Sequence, residues 1–86
     1  MNLGITELTV KARKDLGKIT GLEPSSVVKT ARDDRGWRIS IEMVEKHSIP
    51  DSMDILATYE ALVDEEGNIL EFNRRGMRKR NESLAE

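Results

Sequence analysis

With 86 residues, 37% of them hydrophobic and 35% charged, the chain is sized for one domain over residues 1–86 with a small core, and its apolar residues cluster rather than scatter as disorder would have them. The absence of cysteine excludes a disulfide framework, a thiolate nucleophile and a Cys-ligated zinc, while a net charge of -2 argues against a general polyanion binder. No apolar run approaches the ~20 residues of a membrane helix, and the opening MNLGITELTVKARKD lacks a signal peptide's layout, so a cytoplasmic protein without membrane contact is expected.

Ile5, Leu8, Ala12, Leu16 and Ile19 recur at three- and four-residue steps, which places them on one stripe of an amphipathic helix over about residues 5–20, with Lys11, Arg13, Lys14 and Lys18 facing water. Thr6 reads as the N-cap with Glu7 in the first turn, and Gly21 as the stop, reinforced by Pro24. Gly17 lowers helix propensity by ~1 kcal/mol relative to Ala, and offers close approach to a neighbouring element.

The sheet is expected over about residues 25–80. Ser25 to Arg32 is β-branched, and Asp33-Asp34-Arg35-Gly36 follows as a hairpin turn. Trp37, Ile39, Ile41 and Met43 alternate with Arg38, Ser40 and Glu42, the period of a half-buried strand. The run His47-Ser48-Ile49-Pro50-Asp51-Ser52 interrupts the pattern, since proline donates no ladder bond and restricts the residue before it. Ile55 to Val63 forms a third strand, Asp64-Glu65-Glu66-Gly67 a turn, and Ile69 to about Arg75 a fourth; residues 81–86 are polar and expected to fray. The expected fold is α+β, an N-terminal amphipathic helix packed on a four-stranded antiparallel meander sheet. Ala57, Tyr59, Ala61 and Val63 are set toward the helix with Ile39, Ile41 and Met43, leaving Leu56, Leu62, Leu70 and Phe72 as an exposed apolar strip. Val63 is set opposite Ile69, and Leu62 opposite Leu70.

Little in the chain suggests chemistry. A nucleophilic triad needs a base and an oriented partner, and His47 is the sole histidine. Beside Glu45 and Asp51 it is more simply a solvated linker residue than a proton acceptor or metal ligand. The pairs Asp33/Asp34, Asp51/Asp54 and Asp64/Glu65/Glu66 lack EF-hand spacing, and aspartate in turns serves local backbone bonding. The scattered glycines form no phosphate loop. Arg74, Arg75, Arg78, Lys79 and Arg80 form the strongest charge feature. Nearby Glu60, Asp64, Glu65, Glu66 and Glu71 oppose nucleic acid, and one each of Trp, Tyr and Phe is too few for base stacking, so a solvated or protein-docking edge is favoured. Trp37 is weighed as a cap on the core before an anchor for a partner.

The second half carries Gly36-Trp37-Arg38, Glu42, Glu45, Ile49-Pro50-Asp51, Asp54, Leu56, Tyr59-Glu60, Asp64, Gly67, Leu70 and the arginines Arg74, Arg75 and Arg78. In this order they resemble the gas vesicle protein O family, GvpO. The first half resembles it only as an amphipathic helix followed by a Gly-x-x-Pro turn. Two departures stand out: the family's longer charged N-terminal region has no counterpart here, and Gly76 and Met77 replace an aromatic among the final arginines, which suggests an early end to the last strand.

The resemblance implies an accessory protein for gas vesicle formation or assembly, cytoplasmic and associated with gas vesicles, contacting other vesicle accessory or shell proteins. It implies no enzymatic activity, no cofactor and no metal. The partner-binding candidates are Trp37, Glu42, Glu45, Asp51, Tyr59, Arg74, Arg75 and Arg78, with Pro50 shaping the linker. For Glu42 and Glu45, pairing with an arginine of the fourth strand is an equal alternative. The rival functions are a nucleic-acid-binding regulatory module using Arg74 to Arg80, a small enzyme or metal protein centred on His47, and a peptide-binding or inhibitory module by analogy with the PepSY fold.

Overall fold

The computed structural model describes residues 4–80, apart from the side chain of Asp51; the tail expected to fray, residues 81–86, lies outside the described residues. Helix α1 spans Ile5–Thr20 and buries Leu8, Ala12 and Leu16. Ile5 and Ile19 share that stripe but are 42% and 55% exposed, because the sheet lies beneath the middle turns and not the ends. The helix starts two residues earlier than Thr6 as N-cap suggests. Gly4 is the N-cap: its carbonyl accepts from the Leu8 N–H at 2.9 Å, and its own N–H donates to Glu7 Oε1 at 3.0 Å. Gly21 ends the helix with φ 75°, its N–H donating to the Gly17 carbonyl at 2.9 Å. A Cβ on Gly17 would sit 3.0 Å from Pro24 Cγ, so the bare glycine lets the chain reverse tightly against the last helical turn.

The four strands, β1 (Glu23–Asp33), β2 (Gly36–Lys46), β3 (Ile55–Val63) and β4 (Ile69–Lys79), form one antiparallel sheet in chain order, with a 3-10 turn at Asp51–Met53 between β2 and β3. This is the expected α+β meander. β1 begins at Glu23 and takes in Pro24, which an edge strand accommodates because one of its N–H rows serves no ladder. β4 runs on through Gly76 to Lys79 instead of stopping near Arg75, carried by pairing of Met77, Arg78 and Lys79 with Ala57, Leu56 and Ile55.

The register sets Ile39, Ile41 and Met43 opposite Ala61, Tyr59 and Ala57, and Trp37 opposite Val63, so these side chains share the face that meets α1. Ala12, Leu16, Ile39, Ile41, Met43 and Val63 form the core there, with Leu22, Trp37, Tyr59 and Ile69 packed against it. The expected facing holds.

The expected exposed strip holds only in part. Leu70 and Phe72 are 49% and 37% exposed, but Leu56 and Leu62 are 1% exposed. Leu56 stands opposite Arg78 and Leu62 opposite Arg38, and neighbours in such register lie within side-chain reach. This register places the aliphatic stems of these arginines to cover the leucines, while their guanidinium heads bond carboxylates. One register pair also differs. Val63 does face Ile69, but Leu62 faces Glu71, because a bulge at Leu70 inserts an extra residue into β4.

Candidate partner-binding surface

The basic residues of β4 meet acidic residues of the two inner strands. Glu42, only 3% exposed, accepts from Arg78 in a two-pronged bond, Nε to Oε2 at 2.8 Å and Nη2 to Oε1 at 2.9 Å. The pair reaches across β3 at Thr58, a short residue. Two parallel charge-assisted bonds offset the desolvation of a buried carboxylate, which a single contact would not. Glu60 Oε1 accepts from Arg75 at 2.8 Å and Arg38 at 3.3 Å, and Arg38 Nε donates to Asp33 at 2.8 Å. The Arg75 bond foremost, then the two guanidinium charges, holds the Glu60 carboxyl below its ordinary range.

Glu45 continues the alternation of Ile39, Ile41 and Met43 onto the helix side of the sheet, at an irregular step between Val44 and Lys46. There Tyr59 donates its hydroxyl to Glu45 Oε1 at 3.1 Å, and Arg74 donates to the same oxygen at 3.4 Å. Burial, then the Glu45 bond, pushes the Tyr59 phenol up from its ordinary value. The Phe72 ring lies 6.3 Å from that of Tyr59 in a tilted arrangement.

Asp54, 2% exposed, orders the loop between β2 and β3. It accepts from the Ser48 N–H at 2.6 Å and from Arg80 at 3.3 Å, and the Ser48 bond is the main cause of its lowered pKa. His47 stands between two carboxylates, Nε2 2.9 Å from Glu23 and Nδ1 3.6 Å from Asp54. They lie on opposite ring nitrogens and do not converge; among the described residues no group of three His, Cys, Asp or Glu side chains is placed to hold a metal. Asp54 belongs to the motif that resembles the family but not to the contact candidates; its place between a Pro-containing loop and an apolar strand is the signal that marks it.

Trp37 is half-buried against the core with the Arg32 guanidinium 5.0 Å above its ring, and Arg32 also pairs with Glu65. Asp33 and Asp64 bond their own turns, Asp33 through the Arg35 N–H and Asp64 through those of Glu66 and Asn68, as aspartate in turns predicts. Of the candidates, then, Glu45 is brought together with Tyr59 and Arg74 on the helix side of the sheet, Glu42 with Arg78 on the other face, where Arg75 also lies with Glu60, Trp37 sits at the hairpin end, and the Asp51 side chain is outside the described residues. Arg74, Arg75, Arg78 and Arg80 are all engaged by carboxylates of this chain. Among the residues that β4 leaves exposed are the large apolar side chains of Leu70, Phe72 and Met77, Met77 54% exposed, on either side of the half-exposed Arg74 and Arg75.

The family model for gas vesicle synthesis protein GvpO matches residues 1–83. The chain belongs to the GvpO family. The match takes in α1 and β1, where the sequence motifs are weakest. The chain is similar to gas vesicle protein O of Streptomyces sp. (strain CB03234), 36% identical over 59 residues covering 69% of this chain and 46% of the relative. It is 32% identical to gas vesicle protein O of Haloferax mediterranei over 80 residues, 86% of this chain and 57% of the relative. Gas vesicle protein O1 of Halobacterium salinarum is 30% identical over 77 residues, 84% of this chain and 65% of the relative. The chain thus spans roughly half to two thirds of the length of these GvpO relatives. No solved structure matches it. Among the described residues no helix is long and apolar enough to cross a membrane.

Proposed function

We propose that this GvpO chain is an accessory protein of gas vesicle formation that works by binding other gas vesicle proteins, in the cytoplasm and in association with the vesicle, and not by catalysis. Family membership supports the process. The observation that carries the mode of action is β4, an edge strand held down by ion pairs at Arg74, Arg75 and Arg78, and at Arg80 just past its end, yet exposing Leu70, Phe72 and Met77 along its length. In this reading Tyr59, Arg74 and Arg75 meet the partner, while Trp37, Glu42, Glu45 and Arg78 fix the strand that presents them. Engagement of the arginines by Glu42, Glu45, Glu60 and Asp54 weakens the rival nucleic-acid reading, since phosphate would have to displace carboxylates already in place.

The test is complementation. Cells lacking the gene are given the wild-type chain or Phe72→Asp combined with Arg75→Glu, and vesicles are counted by electron microscopy. The wild type restores vesicles, and the double variant, folded by circular dichroism, does not. Normal vesicles in cells without the gene would overturn the proposal.

A further inference from the structure

The helix side of β4 is built to receive something. An α-helix is about 10 Å across and strands lie about 4.8 Å apart, so α1 roofs roughly two strands of the four. Row by row, Ile69, Phe72, Arg74 and Met77 share the face of Ile39, Ile41 and Met43, yet Phe72 and Met77 remain 37% and 54% exposed. A groove of about 320 Å3 opens where this strip meets α1, lined by Asp15, Lys18, Ile19, Asn68 and Ile69. Ile19, exposed despite lying on the helix's apolar stripe, forms its wall.

We infer that this strip, from the Ile19/Ile69 groove past Phe72 to Met77, is the seat of an acidic amphipathic helix from a partner protein, laid on the sheet beside α1. The inference rests on the proposed function and names the partner's form and charge. Length supports a helix: with its two bulged residues Ile69 to Met77 advances only the six rows from Val63 to Ala57, about 20 Å at about 3.3 Å per row, which a helix of ~13 residues matches at 1.5 Å per residue.

Charge supports an acidic one. Asp15 is neutralised by Lys11 at 2.9 Å and Glu45 is engaged by Arg74, whereas Lys18 at one end and Lys46 at the other pair with no carboxylate among the described residues. Acidic flanks on the occupant would answer that surplus. A strand added to the β4 edge fits less well, because irregular steps at Leu70 and Arg75 break the ladder it would extend. A second copy of this chain fits less well too, since the exposed surface of α1 carries Arg13, Lys14 and Lys18 and would repel the seat.

Two arms test this with the full chain. In the first, other gas vesicle gene products are captured by the wild type, by Phe72→Asp, by Ile19→Asp and by Lys29→Glu, an exposed residue on the opposite face, with melting temperatures checked for each. Phe72→Asp and Ile19→Asp lose at least about tenfold in affinity for the captured partner, Lys29→Glu leaves capture as in the wild type, and the segment cross-linked to the strip is a Glu/Asp-flanked helix. A wild type that captures nothing brings down the proposed function; capture that the strip variants leave intact overturns only the helix seat. The second arm titrates the protein with a helical peptide of about 13 residues bearing a leucine seam and glutamate flanks, against its lysine-flanked counterpart, by NMR. Shifts confined to Ile19, Ile69, Phe72 and Met77, and at least about tenfold stronger for the glutamate peptide, are expected. Equal binding of both peptides, no binding, or shifts elsewhere overturn the inference.

Discussion

The buried pair Glu42–Arg78 makes a prediction in which the two halves are unequal. Removing one partner of a buried ion pair typically costs about 3–5 kcal/mol, because the survivor is left charged without a counterion. Here the survivors differ. Glu42 is 4% exposed at its side chain and Arg78 is 21% exposed, and Arg78 also donates to the Lys79 and Arg80 carbonyls. Arg78→Met keeps an apolar stem over Leu56 but strands the Glu42 carboxylate, so it should cost about the full 3–5 kcal/mol. Glu42→Gln leaves Arg78 21% exposed and still donating to two carbonyls, so about 1–3 kcal/mol is expected, the range of a lost hydrogen bond at a buried site. The double variant Glu42→Leu with Arg78→Met should recover most of the loss, as apolar replacements of buried pairs do. Urea unfolding at pH 7, followed by Trp37 fluorescence, measures all three. A Glu42→Gln cost equal to or above that of Arg78→Met, or a double variant no better than Arg78→Met alone, would refute the reasoning.

Two further outcomes follow from the turns and the carboxylates. A Cβ at Gly36, where φ is 152°, would fall 2.0 Å from the Val63 carbonyl oxygen, so Gly36→Ala must push the β1–β2 turn off β3 and should cost at least about 3 kcal/mol in urea midpoint measurements; a cost under about 1 kcal/mol would contradict the close approach. Asp33, Asp54, Glu60, Asp64 and Glu65 all titrate below their ordinary values, owing foremost to backbone N–H bonds for the aspartates and arginine bonds for the glutamates. Their contribution is therefore complete above the ordinary carboxylate range and is lost as pH falls through about 4 and below; the melting temperature should hold from pH 7 to about 5 and then drop, and a flat profile down to pH 2.5 would contradict it.

Much of this architecture was legible in the sequence because its signals are local. The alternation from Trp37 to Met43 and the Asp/Gly turns fixed three strands and their facing, and Gly21 marked the end of α1. What stayed hidden depends on partners distant along the chain. Leu56 and Leu62 looked exposed until the register set Arg78 and Arg38 over them, and the bulge at Leu70, which changes the partner of Leu62, has no sequence mark of its own. The basic run was visible as charge, but its pairing with Glu42, Glu45, Glu60 and Asp54 follows only from which residues the strand register brings near one another. Ile19 matched the helix period, yet period does not say where a sheet ends beneath a helix.

The central claim is that the chain acts by binding gas vesicle proteins through β4. It is tested most directly by titrating the purified chain with each purified product of the same gas vesicle gene cluster in a calorimeter, wild type beside Phe72→Asp. The account predicts saturable binding to at least one of them, weakened at least about tenfold by the substitution with the fold intact. Binding to none, or binding that Phe72→Asp leaves unchanged, would contradict it.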